Sequence, residues 1–561
     1  MLNNKNKPLS EYPRPQLVRD SYLCLNGEWE YAVRDNEKIP DGFDGPIIVP
    51  FSPETKLSGV NKMVHPNEWL FYRLSFKLDK DFIKDKVLLH FTAVDQIAEV
   101  YINDNYLGKH IGGYLPFEFD IKPYLKEENT LIVRVKDYTD TSYYSCGKQR
   151  IKRGGIWYTP QSGIYMPVWL ESVSNDYIQD IKLSPDIDNE MINIKVISDA
   201  PSATLSILGK EIKVDTNKDI QIKVDNPHLW SPEDPYLYSF KVKTKNDCVE
   251  SYFAMRKVST MDYNGHKIIT LNNKPYFMKG VLDQGYYKDG LYTPSSYEEY
   301  VKDIKLVKDL GFNTIRKHIK IEPLRWYYEC DRLGLLVWQD FVNGGEQYKL
   351  STITFPLITG HHKKDNLYKK FARNNQEGRE QSVQEYKDTI NYLYSVPSIV
   401  LWTIFNEGWG QFDSEIVLEE MKKLDSTRLY DHASGWHDQG ISDTKSLHVY
   451  FKSLKMPKEE DTKGRAVILS EFGGLVLPIK GHMQKGKPTY VSYKNKDKWL
   501  KAYSKMIQRD VIDNIPKGLS ACIYTQLSDV EDELNGFITF DREVQKADLK
   551  DIKEINDKIT Y

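Results

Sequence analysis

Two stretches of the sequence each end an apolar run with a glutamate. In SIVLWTIFNEGWG, residues 398–410, the apolar run is followed by Asn406 and Glu407. In AVILSEFGG, residues 466–474, a second apolar run leads to Glu471. Continuous apolar runs of this length are typical of buried parallel strands. The sequence therefore predicts two buried strands that each present a carboxyl group at their end.

Two carboxyl groups that face one pocket suit the cleavage of a glycosidic bond. One must be protonated to assist the leaving oxygen, and the other must be ionised to attack the anomeric carbon. Burial and a nearby negative charge raise the pKa of one, while hydrogen-bond donors keep the pKa of the other low. Asn406 is a candidate donor to the sugar 2-hydroxyl group. A single glutamate after a strand is more often a cap or a surface ion pair, but two such glutamates favour the catalytic interpretation.

The region from residue 262 to 561 alternates between predicted strands and helices, a pattern that can bring the ends of the two strands together. Strands such as FNTIR and LLVWQD alternate with helices such as SSYEEYVKDIKLVKDLG, in which Ser296 and Glu299 have capping-box spacing. Alternation over this length predicts a (β/α)8 TIM barrel, with catalytic groups at the carboxyl ends of its strands. Because RLYDH and SLHVY lie between the two apolar runs, Glu407 and Glu471 are predicted to end the fourth and seventh strands.

The first half of the chain predicts two β-sandwich domains. Residues 1–173 contain short strands with alternating polarity, such as NTLIVRVKDY, and no long helix, which favours a jelly-roll sandwich. Residues 174–261 form a second strand-rich block of the size of an immunoglobulin-like sandwich. The expected fold class is therefore multidomain, with two sandwiches followed by a barrel.

Composition excludes several classes of function. The 561 residues carry a formal charge of −3 with both signs interspersed, so we expect no nucleic acid and no membrane as partners. The five cysteines form no CxxC pair, which argues against a disulfide framework and a structural zinc site. The N-terminal stretch MLNNKNKPLSEYPRP lacks the apolar core of a signal peptide, and we expect a cytoplasmic enzyme.

The sequence predicts neither a cofactor nor a metal. It contains no GxGxxG, GxxxxGK[ST], HExxH or GxSxG motif. The adjacent pair His361 and His362 lies in a lysine-rich stretch that reads as a solvated loop rather than a metal site.

The chain resembles glycoside hydrolase family 2, the β-galactosidase, β-glucuronidase and β-mannosidase group, over nearly its whole length. The resemblance is carried by YPRPQLVRDSYLCLNGEWEYAV, HLWSPEDPYLY, GFNTIRKHIKIEPLRWYYECDRLGLLVWQD, VLWTIFNEG and VILSEFGG. It implies a sugar-binding role for the first domain, and it implies that Glu407 is the acid/base and Glu471 the nucleophile. It further implies retention of anomeric configuration through a covalent glycosyl-enzyme.

Further substrate-binding candidates end the predicted barrel strands. Arg316 matches the family's arginine and is expected to orient the nucleophile, with a rim ion pair as its alternative. His448 and Tyr450 end SLHVY, and a tyrosine hydroxyl near the nucleophile would help keep it ionised. The alternative to a sugar contact for His448 is a core histidine with its hydrogen bonds satisfied. Trp409 and Trp436 are candidates for stacking on the sugar or for core packing.

Departures from the family pattern narrow the substrate. After the first barrel strand, GVLDQGYYKDG replaces the usual Gly-Val-Asn and histidine, so Asp283 becomes a substitute candidate for sugar contact. In the last strand, YTQLSD, Gln526 lies near the position where a tryptophan is common in the family, and it is a further substrate-binding candidate. In EDELNGFITFDR, Glu533 and Asn535 occupy the places of the Asn-x-Lys motif that binds glucuronate in β-glucuronidases. Glu531, Asp532 and Glu533 are expected to repel an acidic sugar and are candidates for hydrogen bonds to sugar hydroxyl groups.

The sequence thus predicts a retaining exo-β-glycosidase, with β-galactosidase as the first choice. Within enzymes, the alternative is a mannoside or an α-L-arabinopyranoside as substrate. The alternative from another class is a catalytically silent carbohydrate-binding protein. We expect a carbohydrate substrate, and association into a homo-oligomer is compatible with these domains.

Overall fold

The computed structural model describes residues 7–360, 362–484 and 490–561. Two antiparallel sandwiches are followed along the chain by a barrel of parallel strands. This is the predicted order of architectures.

The N-terminal sandwich packs a four-stranded sheet, in the order β1-β12-β5-β9, against a six-stranded sheet, in the order β3-β2-β4-β10-β7-β8. Alternate residues of its strands point into a shared apolar core, as the pattern in LIVRV predicts. Its strands are β1 (Tyr22–Cys24), β2 (Gly27–Arg34), β3 (Gly45–Val49), β4 (Trp69–Phe76), β5 (Lys86–Phe91), β6 (Val94–Asp95), β7 (Ile97–Ile102), β8 (Asn105–Ile111), β9 (Phe117–Asp120), β10 (Asn129–Lys136), β11 (Gly163–Ile164) and β12 (Val168–Val173).

The second sandwich has a three-stranded sheet, β13-β14-β17, and a four-stranded sheet, β16-β15-β18-β19. Its core is built from the inward residues of both sheets. Its strands are β13 (Ile178–Asp186), β14 (Met191–Ser198), β15 (Ser202–Ile207), β16 (Lys210–Asp215), β17 (Ile220–Lys223), β18 (Tyr238–Lys243) and β19 (Cys248–Phe253).

A small antiparallel sheet connects the second sandwich to the barrel. It consists of β20 (Val258–Tyr263), β21 (His266–Leu271) and β22 (Lys274–Pro275). The boundary expected between residues 261 and 262 therefore falls inside β20. The first expected boundary, after Val173, coincides with the end of β12.

The barrel contains, within the described residues, eight parallel strands in the order β27-β26-β25-β24-β23-β30-β29-β28. They are β23 (Met278–Asp283), β24 (Thr314–Lys317), β25 (Leu336–Asp340), β26 (Ile399–Thr403), β27 (Leu429–Asp431), β28 (Thr444–Val449), β29 (Ala466–Gly473) and β30 (Leu519–Thr525). The predicted strands before Glu407 and at Glu471 are thus β26 and β29, the fourth and seventh of the barrel.

Helices surround the barrel between its strands. They are α1 (Tyr297–Asp309), α2 (Leu324–Leu333), α3 (Leu350–Ile353), α4 (Phe355–Thr359), α5 (Gln376–Leu393), α6 (Ser414–Leu424), α7 (Glu459–Thr462), α8 (Lys496–Met506) and α9 (Leu549–Asn556). None of the helices in the described residues is both long and apolar enough to cross a lipid bilayer.

The capping box expected at the start of α1 does not form. Ser296 is the N-cap residue, but its side chain makes no capping hydrogen bond. The hydroxyl group of the preceding Ser295 instead donates to Glu299 at 2.8 Å. The carboxylate of Glu299 is therefore engaged one residue earlier than the motif predicts.

Apolar side chains fill the interior of the barrel at the amino-terminal ends of its strands. Met278, Leu336 and Trp338 belong to this cluster, together with Trp230 from the second sandwich and Ile269 from β21. The connecting sheet thus covers the bottom of the barrel, and polar chemistry is confined to the opposite end.

Candidate active site

Glu407 lies in the turn that follows β26. The extended chain continues past the end of this strand, because Asn406 forms a parallel bridge with Ser434 in the loop after β27. The Glu407 N–H donates to the Ser434 carbonyl oxygen at 2.9 Å. Glu407 itself has a φ of 50°, a left-handed conformation that is uncommon outside glycine and occurs often at functional sites. The turn therefore holds the side chain of Glu407 in a fixed direction at the mouth of the barrel.

Steric constraints explain why a glycine follows Glu407 in NEGWG. Gly408 has a φ of 72°, and a Cβ atom built on it would lie 2.6 Å from Cδ2 of His437. Both the backbone conformation and the close contact disfavour any larger residue at this position.

Glu471 is aimed into the barrel by a β-bulge in β29. Leu447 pairs with Leu469, but the next pair joins His448 to Glu471, so Ser470 is an extra residue on this strand. The hydroxyl group of Ser470 lies 3.0 Å from that of Ser434, and Glu471 reaches Arg316 from the same strand. Since a bulge interrupts the regular alternation of a strand, two successive side chains can point to one side.

The structure brings Glu407 and Glu471 together. One carboxyl oxygen from each of them and a ring nitrogen of His448 all lie within 4.8 Å of one another. In retaining glycosidases the two carboxyl groups are about 5–5.5 Å apart, whereas inverting enzymes leave about 6.5–9.5 Å for a water molecule. The closeness of the two carboxyl oxygens fits the shorter of these separations.

Arg316, at the end of β24, is fully buried and contacts both carboxylate-bearing segments. Its Nη1 donates to Glu471 at 3.1 Å and to the Ser470 carbonyl oxygen at 3.0 Å. Its Nη2 donates to the Asn406 side-chain oxygen at 2.9 Å, and its Nε donates to Asp340 at 2.9 Å. Arg316 is thus placed to orient Glu471 and Asn406, and the rim ion pair is not what the geometry supports.

The two glutamates have opposite pKa shifts. Burial tends to raise the pKa of Glu471, but the nearby His448 and Arg316 and a hydrogen bond from Tyr450 hold it well below its ordinary value. Burial raises the pKa of Glu407, and the negative charge of Glu471 adds to the increase, while a hydrogen bond with His448 opposes it. Glu407 therefore favours the protonated state under conditions in which Glu471 is ionised.

His448 and Tyr450 contact the carboxyl groups of Glu407 and Glu471 directly. The Nδ1 atom of His448 lies 2.8 Å from Glu407, and its Nε2 atom lies 2.9 Å from the Ser434 hydroxyl group and 3.7 Å from Glu471. The Tyr450 hydroxyl group donates to Glu471 at 2.6 Å. His448 is thus a buried histidine whose two ring nitrogens have hydrogen-bond partners, as expected of a satisfied core histidine, and it lies between the two glutamates.

Asn406, Trp409 and Trp436 line the same region. The indole N–H of Trp436 donates to the Glu407 carbonyl oxygen at 2.9 Å, so Trp436 supports the turn. Trp409 is buried against Trp157, with ring centroids 4.9 Å apart. The Asn406 amide nitrogen and the Trp409 indole nitrogen are buried and have no hydrogen-bond partner in the described part of the chain. These two N–H donors are suited to a polar ligand.

Asp283 is not brought to the two carboxyl groups. Its carboxylate accepts from Lys317 at 2.5 Å and from the Gly285 N–H at 2.9 Å. Lys317 lies 4.2 Å from the ring centroid of Trp326, on helix α2 outside the barrel. Leu282, the neighbour of Asp283, belongs to the barrel interior. Because successive side chains of a strand alternate, Asp283 faces the helices, and the expected sugar contact is corrected to a structural ion pair.

Gln526 is held in a chain of amides after β30. Its nitrogen donates to Asn535 at 3.0 Å, and its oxygen accepts from Gln284 at 2.8 Å. Gln526 thus ties the end of the last strand to that of the first.

The three acidic residues 531–533 do not act together. Glu531 pairs with Arg153 at 3.0 Å, and Asp532 accepts from the Gly155 N–H at 3.1 Å. Both are therefore bound to a loop of the N-terminal sandwich, which corrects the expectation that all three repel an acidic sugar. Glu533 contacts the same loop through Lys148 and Tyr158, and it also accepts a hydrogen bond from the Tyr490 hydroxyl group at 3.2 Å.

Some residues of this region were not predicted. His318 lies two residues after Arg316 and its Nδ1 is 2.7 Å from Asp340. The alternation of the strand was an available signal for it. Lys148 and Trp157 come from the N-terminal sandwich, and Tyr490 comes from the long connection after β29. No local pattern could have joined these residues to the barrel.

Among the described residues, two groups of side chains have donor atoms close enough to surround a cation. One is Glu407, His448 and Glu471, and the other is His482, Asp541 and Glu543. A positive side chain accompanies each group, since Arg316 contacts Glu471 and Lys288 lies 3.5 Å from Glu543. We assign no metal to either group. His361 lies outside the described residues, and the Nδ1 atom of His362 accepts from the Asp438 N–H at 3.2 Å.

Three domain families match the chain. The sugar binding domain of glycosyl hydrolases family 2 matches residues 43–172, the central glycosyl hydrolases family 2 domain matches residues 167–256, and the family's TIM barrel domain matches residues 264–561. These matches confirm the predicted family resemblance and the predicted domain types.

Curated relatives are similar over part of their length. The chain is 29% identical over 350 residues to a β-galactosidase of Thermoanaerobacter pseudethanolicus, covering 57% of this chain and 46% of that protein. It is 27% identical over 349 residues to a putative β-glucuronidase of Formosa agariphila, covering 58% of this chain and 38% of that protein. The chain thus matches less than half the length of each of these relatives.

Solved structures share the fold over nearly the whole chain. A β-D-glucuronidase from Dictyoglomus thermophilum superposes with a TM-score of 0.75 at 18% identity, covering 98% of this chain and 99% of that one. A family 2 β-galacturonidase from Eisenbergiella tayi bound to galacturonate superposes with a TM-score of 0.72 at 18% identity, covering 97% and 99%. At such identities the similarity establishes the architecture, not the sugar.

Proposed function

The chain belongs to glycoside hydrolase family 2, and on this premise we propose that it is a retaining exo-β-glycosidase that acts on terminal β-galactosides. The pairing of Glu407 with Glu471 carries the proposal. Their oxygens lie within 4.8 Å of each other, one pKa is raised and the other is lowered.

In the first step, Glu471 attacks the anomeric carbon while Glu407 donates its proton to the glycosidic oxygen. The bond to the leaving group breaks, and a covalent bond forms between the anomeric carbon and the carboxylate oxygen. Arg316 and Tyr450 hold Glu471 ionised and oriented before attack, because each donates a hydrogen bond to one of its oxygens.

In the second step, Glu407 is the base. It has lost its proton to the leaving group, and it now removes a proton from the water molecule that attacks the glycosyl-enzyme. The bond from the anomeric carbon to Glu471 breaks, which restores both carboxyl groups to their starting states. Two displacements at one carbon give a product of retained configuration.

The free amide nitrogen of Asn406 supports the placement of the sugar. Its side-chain oxygen is held by Arg316, so the amide is fixed with its N–H groups unpaired. A hydrogen bond from this amide to the 2-hydroxyl group would strengthen as charge develops at the anomeric carbon.

Galactose is favoured over a uronic acid by the carboxylate of Glu533, since the resemblance to the family implies that this residue replaces the first residue of the glucuronate-binding motif. The relatives include proteins named β-galactosidase and β-glucuronidase, so the family alone leaves the sugar open. Mannosides and α-L-arabinopyranosides are the alternatives among neutral glycosides.

The proposal is tested with the variants Glu471→Ala and Glu407→Gln on an aryl β-galactoside. We expect each to lower kcat/KM by more than about 1,000-fold while the melting temperature stays within a few degrees of wild type, because each removes a reacting group from an otherwise intact pocket. The configuration of the first-formed galactose is read by NMR, and the β anomer is expected from the wild-type enzyme.

Two outcomes would contradict the proposal. A wild-type protein that binds aryl β-glycosides without turnover would be a silent carbohydrate-binding protein. An α-anomeric first product would show a single displacement and exclude Glu471 as nucleophile.

A further inference from the structure

We infer that Lys148 of the N-terminal sandwich and Glu533 of the barrel together recognise the hydroxyl groups of the glycone and select a neutral sugar over a uronic acid. This inference rests on the proposed function and names the substrate class of the same site. It assigns part of the sugar pocket to a domain other than the barrel.

The two catalytic carboxyl groups belong to a chain of contacts that leads to this pair. On one side, Tyr450 donates to Glu471, and its ring lies 5.5 Å from that of Tyr490. The Tyr490 hydroxyl group donates to Glu533 at 3.2 Å. Glu533 is therefore separated from the nucleophile by two tyrosine rings.

On the other side, Lys148 lies next to Trp409, two residues after Glu407. The Nζ atom of Lys148 is 5.8 Å from the ring centroid of Trp409 and 3.5 Å from Glu533. Its positive charge is close enough to act on Glu407 and on His318. Lys148 and Glu533 thus lie beside the two carboxyl groups that a sugar must meet, Lys148 next to Trp409 and Glu533 behind Tyr490 and Tyr450.

Lys148 is held at this place by its backbone neighbours. The Cys146 N–H and the Gly147 N–H both donate to the carbonyl oxygen of Asn343, in the loop after β25, at 3.0 and 3.1 Å. Ser145 forms an antiparallel bridge with Gly344. The loop that carries Lys148 is therefore joined to the barrel by main-chain hydrogen bonds.

Both members of the pair keep capacity for a ligand. An ammonium group has three donors, and Lys148 uses one toward the Tyr158 hydroxyl group at 3.4 Å and one toward Glu533. The two oxygens of Glu533 accept from Tyr158 and Tyr490, which leaves further lone pairs. Hydroxyl groups can accept from the ammonium and donate to the carboxylate at the same time.

The charge of the pair decides between sugars. In the described residues, Glu533 is the one carboxylate within 4 Å of Lys148, so the pair is close to neutral. Vicinal hydroxyl groups satisfy both partners without adding charge. The carboxylate of a uronate would be attracted to Lys148, but it would also lie beside the carboxylate of Glu533. Two like charges in a buried site repel each other, so the pair disfavours binding of a uronate.

The test compares Lys148→Met, Glu533→Gln and the control Lys152→Met, an exposed lysine of the same loop. Each purified protein is assayed on an aryl β-galactoside and on the matching aryl β-galacturonide, with its melting temperature recorded. We expect Lys148→Met and Glu533→Gln to lower kcat/KM for the galactoside at least about 10-fold, since each removes a charged hydrogen bond to the sugar. Lys152→Met is expected within about twofold of wild type.

The ratio of kcat/KM for the galacturonide to kcat/KM for the galactoside discriminates more strongly than either rate alone. Because Glu533→Gln removes the negative charge while keeping the shape, the galacturonide-to-galactoside ratio of kcat/KM should rise at least about 10-fold over wild type. This isosteric variant remains informative if Lys148→Met lowers the melting temperature.

Three results would overturn the inference in distinguishable ways. If the wild type hydrolyses the galactoside and both variants match Lys152→Met in rate and ratio, the pair does not recognise the glycone. If the wild type prefers the galacturonide, the pair does not select a neutral sugar, although the glycosidase mechanism stands. If the wild type hydrolyses no glycoside, the proposed function fails and this inference falls with it.

Discussion

The difference between Glu407 and Glu471 arises from their hydrogen-bond partners. Both are buried, and burial by itself raises the pKa of a carboxyl group. Glu471 accepts hydrogen bonds from Arg316 and Tyr450, which stabilise its charged form. Glu407 has His448 as its side-chain partner and lies beside the charge of Glu471. Position on the strands brings the two together, and their partners shift their pKa values in opposite directions.

The pH dependence of kcat/KM should follow these shifts. The rate falls as the pH drops through the lowered pKa of Glu471, and it falls as the pH rises through the raised pKa of Glu407. In Tyr450→Phe the lost hydrogen bond raises the pKa of Glu471, so the acidic limb should move to higher pH while the alkaline limb stays in place. The maximum should fall by about 10- to 100-fold, the cost of a hydrogen bond to a charged group.

A pH series of kcat/KM for both proteins measures this. Tyr106→Phe, at a tyrosine that is 51% exposed, is the matched control and should keep the wild-type profile. Coinciding acidic limbs for Tyr450→Phe and wild type would show that Tyr450 does not tune Glu471.

At the scale of elements, the ends of the barrel strands carry the site, and most of them could be predicted. Apolar runs identified β26 and β29 because strands buried on both faces lack polar residues. The bulge at Ser470 could not be predicted, since it depends on the register between two strands. The prediction of a sugar contact for Asp283 was based on its residue type and did not consider which face of the strand it occupies. Leu282 shows which face of β23 points into the barrel, and the neighbouring Asp283 lies on the other face. Sequence thus predicted the strands better than the directions of their last side chains.

The turn after β26 provides a prediction at this scale. Gly408→Ala adds a Cβ atom at a φ of 72°, 2.6 Å from Cδ2 of His437. Gly464→Ala adds one at a φ of 70° with no atom within 4 Å, so it isolates the backbone strain. We expect Gly464→Ala to cost about 1 kcal/mol and Gly408→Ala about 2–4 kcal/mol, the difference being overpacking.

Thermal or denaturant unfolding of both variants checks this difference. Gly408→Ala should also lower kcat/KM, because it displaces the turn that holds Glu407, while Gly464→Ala should not. Equal losses of stability would mean that His437 moves aside freely.

At the scale of the whole molecule, three domains are joined by buried contacts that no local sequence pattern predicts. Trp230 of the second sandwich is fully buried and donates its indole N–H to the Asp331 carbonyl oxygen of the barrel at 2.8 Å. Lys148 reaches the barrel from the first sandwich. The domain types could be predicted from strand patterns, but which residues cross between domains depends on long-range packing.

Trp230→Ala should separate stability from catalysis. It removes a large buried side chain at the amino-terminal end of the barrel, which costs about 3–5 kcal/mol. The carboxyl groups are at the other end, so kcat/KM of the folded enzyme should stay within about twofold of wild type.

Tyr236→Ala, in the same connection but 42% exposed, is the control and should change the melting temperature little. The measurements are melting temperature and kcat/KM at a temperature below both transitions. A large loss of kcat/KM without a loss of stability would place Trp230 in the function of the site.

The main-chain bonds of Cys146 and Gly147 to Asn343 have a consequence for divergence among related enzymes. Such bonds are indifferent to side-chain identity, so the position of the loop is preserved when its residues are exchanged. New substrate preferences can therefore arise by substitution at Lys148 and its neighbours without rebuilding the barrel. In this protein, Glu407 and Glu471 belong to the barrel, whereas the loop that carries Lys148 belongs to the N-terminal sandwich.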